Sequence, residues 1–161
     1  INKVVEKIVA GQVTRFFELQ FLNKDMTVLV PIDNLEGIGI RSLSSADHIS
    51  KVFQILAEPA SKINTLDLSA SNWNKRNKEY QFKLRTGDIN EIMEIYRDLK
   101  QISLKKELSF GEKSLLQQTE HLLAEEISIV QNLDSERAAE QLRSLFSFAH
   151  PSVPSGTQKT A

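Results

Sequence analysis

The chain has 161 residues, of which 40% are hydrophobic and 25% charged, and carries a formal net charge of −1. Such a length suits one compact domain or two small ones, and the charge argues against a general nucleic-acid coat. Cysteine is absent, which excludes disulfides and thiolate metal sites. No apolar run approaches the roughly 20 residues that span a bilayer, and no signal peptide is visible.

The first 43 residues read as strands. VVEKIV (Val4 to Val9) is short and β-branched, and Ala10 to Gln12 make a turn. VTRFFELQFL alternates, with Phe17, Leu19 and Phe21 on one face and Glu18 and Gln20 on the other. Asn23 to Asp25 connect it to MTVLVPI (Met26 to Ile32), whose Pro31 places its end at a sheet edge. IGIRSL (Ile38 to Leu43) is expected to add a fourth short strand. The expectation is a small, bent antiparallel module. Because the chain opens at Ile1 within a strand pattern and without a methionine, an upstream strand is expected to be missing.

From Ser44 the period becomes helical. Ser45 is an N-cap candidate, followed by the stripe Ile49, Val52, Phe53 and Leu56. Pro59 closes this region, and Ala57 to Ala70 is expected to be a loop. A second helix runs from about Ser71 to Gly87. A third opens at Asp88 with Glu91 at capping-box spacing and carries Ile92, Met93, Ile95, Tyr96, Leu99 and Ile102. SFGE (Ser109 to Glu112) repeats that spacing and starts a long helix with Leu115, Leu116, Leu122, Leu123, Ile127 and Val130. Asp134 or Ser135 caps a last helix with Ala138, Ala139, Leu142, Leu145 and Phe146. These stripes read as core. The class is α+β: a β module at 1–43, a helical bundle at 44–148, and a tail at 149–161 expected to be disordered.

Catalysis finds little support. His48, His121 and His150 are scattered and lack metal-ligand spacing, no G-x-S-x-G elbow is present, and Gly37 and Gly39 form a lone G-x-G. Glu125 and Glu126 point about 100° apart on a helix, poor geometry for an acid–base pair. No enzyme, cofactor or metal site is expected.

Charge is segregated. Residues 71–87 hold five basic groups and one acid, whereas 120–140 hold six acids and one arginine. Solvated helix faces account for this, and so does orientation on an anionic partner. The only tryptophan, Trp73, opens the basic helix in SNWNKRNKEYQFKLRTGD. Trp73, Asn77, Tyr80 and Leu84 share a helical face, so the indole is either the outer end of a core stripe or a wedge for a DNA minor groove. Lys75, Arg76 and Lys78 would then hold phosphates.

Three blocks carry a resemblance: Asp25 to Leu43, Ser71 to Asp88, and LSFGEKSLLQQTEHLLAEEISI (Leu108 to Ile129). Together they resemble the CarD/CdnL family of bacterial transcription regulators, over about Val5 to Ile129. The resemblance implies a Tudor-like β module that binds the RNA polymerase β subunit, with Lys7, Val9 and Leu29 at the polymerase-binding positions. It implies a helical module on promoter DNA at the upstream bubble edge, with Trp73 as wedge and Lys75, Arg76, Lys78 and Lys113 as further DNA contacts. The implied outcome is a stabilised open complex, in the cytoplasm, with weak and sequence-independent DNA contact and no membrane partner. A monomer is expected. The alternative is a protein–protein adaptor without DNA contact. This chain departs from the family at the opening V-Y-P-x-H-G-V-G-like run, which is absent, at Leu29, where some relatives are basic, at Asn77 for a common aromatic, and at Ser114 for a common basic residue.

Overall fold

The computed structural model describes residues 1–22, 24–60 and 70–151. Most of the expected loop at 57–70 and nearly all of the tail lie outside the described residues. The chain divides into two compact units, Ile1–Ser42 and the part from Leu43 onward.

The first unit is a three-stranded antiparallel sheet in the order β1 (Lys3–Val9), β2 (Gln12–Gln20), β3 (Thr27–Pro31). A two-residue turn joins β1 to β2, and Ala10 and Gly11 both have positive φ there, at 49° and 79°. Positive φ at both central residues is what a type I′ hairpin requires, because its twist matches that of the strands. The register pairs Val4 with Phe17 and Phe17 with Val30, which gathers these apolar side chains on one face. On the other face Lys3 and Leu29 flank Glu18, and Lys7 and Val9 oppose Thr14 and Gln12.

The expected fourth strand does not form. Two 3-10 turns, Ile32–Asn34 and Glu36–Ile38, follow β3, and Gly39 then takes a left-handed conformation with its N–H bonded to the Glu36 carbonyl. Ile40 N–H bonds back to Leu35. These local bonds coil the chain where the alternating pattern alone suggested extension.

The second unit is helical: α1 (Ala46–Gln54), a 3-10 turn (Ile55–Ala57), α2 (Ala70–Thr86), α3 (Ile89–Ser103), α4 (Phe110–Gln131) and α5 (Ser135–Ala149). Ser45 caps α1 by accepting from His48 N–H, and Asp134 caps α5 by accepting from Arg137 N–H. Ser109 and Glu112 form a complete capping box on α4. Asp88 caps α3 through Asn90 N–H, but the expected box with Glu91 is not made. The Thr86 hydroxyl accepts from Asp88 N–H and donates to the Glu91 carboxylate, so the cap amide and the acid are each already engaged.

Two apolar clusters fill this unit. The larger joins Ile49, Val52 and Leu56 of α1 and its 3-10 extension to Met93 and Tyr96 of α3, Leu123 and Ile127 of α4, and Leu142 and Phe146 of α5. The smaller joins Tyr80 of α2 to Ile95, Leu99 and Ile102 of α3, and to Leu108 and Leu115. Leu84 and Leu116 adjoin both clusters. Leu122, read as core, is instead exposed and belongs to neither cluster. Only the first half of α4 faces the smaller cluster.

Candidate nucleic-acid interface

Helix α2 has two faces of opposite character. Tyr80 and Leu84 turn inward, and Trp73 stands at the outer end of that face, partly buried against the smaller cluster. Lys75, Lys78, Phe82 and Arg85 are exposed. At 100° per residue, Lys75 lies about 160° around the axis from Trp73. The indole and the two lysines therefore occupy nearly opposite sides of one helix end.

Arg76 behaves differently from its lysine neighbours. Its side chain is only 12% exposed, and Nη2 donates to Oε1 of Glu112 at 2.9 Å. Glu112 is itself 1% exposed. Its second oxygen accepts from Lys106 Nζ at 2.8 Å and from the Ser109 N–H at 2.9 Å. Burial works against the ionised carboxylate, but hydrogen bonds from Lys106 and Ser109 more than offset it and hold the carboxyl below its ordinary range. Neutralising such a group by partners is the condition for burying it at all.

The indole is bounded by this arrangement. The Arg76 guanidinium carbon sits 5.9 Å from the ring centroid, within cation–π range. A side chain added at Gly111 would put its Cβ 3.2 Å from Trp73 Cζ2 and 3.3 Å from Nε1. Glycine at this position lets the ring rest on the α4 backbone. Phe110, one residue earlier, is 89% exposed.

Lys113 stands one turn into α4 and pairs with Glu107 at 3.1 Å, both side chains being largely solvated. A pair of this kind contributes little to stability and exchanges readily. In the sheet unit, Lys7 and Val9 of β1 and Leu29 of β3 fall on one face by the strand register, Lys7 and Val9 exposed and Leu29 partly buried.

The three histidines stay apart, each with its own partner. His48 Nε2 lies 3.3 Å from Asn90 Nδ2, His121 Nε2 3.4 Å from Glu125, and His150 Nε2 2.7 Å from the Leu56 carbonyl. A cavity of about 200 Å³ between α4 and α5 is lined by His121, Glu120, Glu136 and Arg143 among others. Its Arg143 is committed to Glu120 and Glu136. Among the described residues there is no cluster able to hold a metal ion and no helix long and apolar enough to cross a membrane.

Sequence reasoning missed Gly111, Lys106 and the buried role of Glu112. The capping-box spacing marked Glu112 as a local acid. Nothing local announced its bond to Arg76, 36 residues earlier in the chain. A glycine inside the first turn of a helix was the available hint of a close approach.

A three-stranded sheet unit followed by a compact helical unit defines a protein of the α+β class. Residues 51–143 match the CarD C-terminal domain, and the chain belongs to the CarD family. It is also similar to a Bacillus subtilis (strain 168) protein named "Putative transcription factor YdeB", with 23% identity over 133 residues that cover 83% of each chain.

Proposed function

We propose that this protein is a cytoplasmic transcription regulator that docks on the RNA polymerase β subunit through its sheet unit and steadies the open promoter complex through its helical unit. Membership of the CarD family, which is a transcription-factor type and not an enzyme class, supports the regulator reading, as does the name of the Bacillus subtilis relative. The observation that carries the finer reading is the Trp73 corner. A partly buried indole stands at one end of a basic helix, with the guanidinium of the buried Arg76–Glu112 pair 5.9 Å from its ring centroid.

In this mechanism Trp73 leans on an unstacked base step in the minor groove at the upstream edge of the bubble. Lys113 binds a phosphate from α4, Lys75 and Lys78 bind phosphates by reaching past the first turn from nearly the opposite side of α2, and Arg76, turned inward, supports the ring. Lys7, Val9 and Leu29 lie on the polymerase-binding face of the sheet. Binding to polymerase raises the local concentration of the helical unit at DNA to about the millimolar range. The net charge of −1 then suffices, because DNA affinity alone need not be high. Three bound phosphates give a salt slope of about −3. The wedge favours the open state because only distorted DNA admits it, and a preference of about 1.4 kcal/mol shifts the equilibrium tenfold.

The test is the lifetime of open complexes formed with wild-type protein and with Trp73→Ala. A lifetime about tenfold shorter, with binding to the isolated β lobe unchanged, is expected. An unchanged lifetime in a folded variant overturns the wedge. The adaptor reading draws on exposed Phe82, Phe110 and Phe148. Promoter footprinting with and without polymerase separates the two, since an adaptor leaves the upstream bubble edge unprotected.

A further inference from the structure

We infer that Glu112 is a positioning residue for Trp73: acting through Arg76, its buried carboxylate fixes the direction in which the indole points. The consequence for promoter DNA rests on the function proposed above, whereas the orientation of the ring stands on geometry alone. The two oxygens of the carboxylate divide their labour. One oxygen accepts from Arg76 of α2, and the other accepts from Lys106 and from the α4 cap amide at Ser109. Capping α4 needs only the second of these, and a glutamine could provide it. A charge buried to 1% exposure for a cap alone would be a poor arrangement. The additional bond goes to the one residue of α2 whose guanidinium overlies the tryptophan.

The opposing surface of the ring points the same way. Gly111, adjacent to Glu112, leaves room for the indole where any Cβ would press on three of its atoms at 3.2 to 3.4 Å. Glu112 thus sets both boundaries of the ring: the α4 first turn through its cap, and the Arg76 guanidinium through its other oxygen. A tryptophan so held reaches DNA with its rotamer already chosen, which lowers the ordering cost of binding.

Because Trp73 is the only tryptophan, its fluorescence reports this corner without interference. The experiment compares emission maximum and acrylamide quenching of full-length wild type, Glu112→Gln and Gly111→Ala, with helical circular dichroism as the folding control. Glu112→Gln keeps the cap but removes the charge. Its expected signature is a red-shifted emission and about a twofold rise in quenching at unchanged helicity. Gly111→Ala should also displace the ring and change both readings with every charge retained. Wild-type emission and quenching in a folded Glu112→Gln overturns the inference, whatever Gly111→Ala does. Should Glu112→Gln lose helicity, Arg76→Gln cuts the same link while leaving the Glu112–Lys106–Ser109 bonds, and wild-type readings there overturn it equally. Open-complex lifetimes then separate the two ideas. If Trp73→Ala leaves the lifetime unchanged while Glu112→Gln shifts the fluorescence, the wedge fails and the positioning role stands. If Trp73→Ala shortens the lifetime, Glu112→Gln should shorten it too.

Discussion

The sheet unit and the helical unit solve the burial problem in opposite ways. In the helical unit, Ile49, Met93, Leu99, Ile127 and Leu142 are completely shielded from solvent. In the sheet unit, Val30 is the one buried residue among those described, while Ile8 is 77% and Val13 67% exposed. Three short strands with one thin apolar face bury too little to be strongly stable alone. The helical unit carries its own core and can therefore hold a costly feature such as a buried carboxylate. The sheet unit presents side chains that its own packing does not consume, which suits a surface built for a partner.

Truncating one aliphatic side chain in each unit tests this difference. Leu142→Ala removes a fully buried leucine and should cost about 2–5 kcal/mol in denaturant unfolding followed by helical circular dichroism. Ile8→Ala, on the exposed hairpin end, should stay within about 0.5 kcal/mol in amide exchange of β1 and β2, which reads the sheet unit directly. A cost above about 2 kcal/mol for Ile8→Ala would mean that Ile8 packs in a core of the sheet unit.

Next in size is the buried charge. The Glu112 carboxyl is held below its ordinary value of 4.5, so the folded state favours its ionised form. That contribution is complete above the ordinary value and is lost as pH falls through the folded one. Glu112→Gln should therefore be less stable than wild type at pH 7 by about 1–3 kcal/mol, the scale of a lost charge-assisted bond. The gap should close progressively below about pH 4.5 in parallel thermal melts. A gap that stays constant into acid would remove the charge from the account and leave only a packing effect.

Much of this was legible in the sequence, and for a reason tied to range. Helix starts at Ser45, Ser109 and Asp134 follow from side chains bonding amides three residues on. The stripe from Ile92 to Ile102 follows from a helical period of about 3.6 residues. What could not be read depends on distant partners or on local competition. The Arg76–Glu112 bond joins two helices, so nothing near Arg76 distinguishes it from exposed Lys75. The same blindness made Leu122 look like core. At Ile38 to Leu43 the pattern suited a strand, but backbone bonds from Gly39 and Ile40 to the preceding turn claimed the chain first. At Asp88 the competitor was Thr86, two residues before the cap.

The outward face of α2 offers a smaller and more specific effect. Lys75 and Lys78 are exposed, unlike Arg76. Replacing both by Ala should leave stability nearly unchanged and flatten the salt dependence of promoter association by about 2 units of slope, close to 0.9 for each phosphate left unpaired. Replacing Arg76 alone should show the reverse pattern, with altered Trp73 fluorescence and little change in slope. Equal slopes for wild type and the double variant would remove the lysines from the DNA interface.

The smallest expected effect lies in the sheet hairpin. Ala10 holds φ of 49°, a left-handed conformation that costs a residue with a Cβ roughly 1–2 kcal/mol. Asparagine tolerates that region better, and Asn-Gly is the favoured pair for a two-residue turn of this kind. Ala10→Asn should therefore stabilise the β1–β2 hairpin by about 0.5–1 kcal/mol. If the sheet unit opens independently of the helical unit, amide exchange in β1 and β2 should slow by about two- to fivefold while α3 and α4 exchange as before. If both units slow together, they unfold as one cooperative body, and the sheet's thin core matters less than its burial pattern implies.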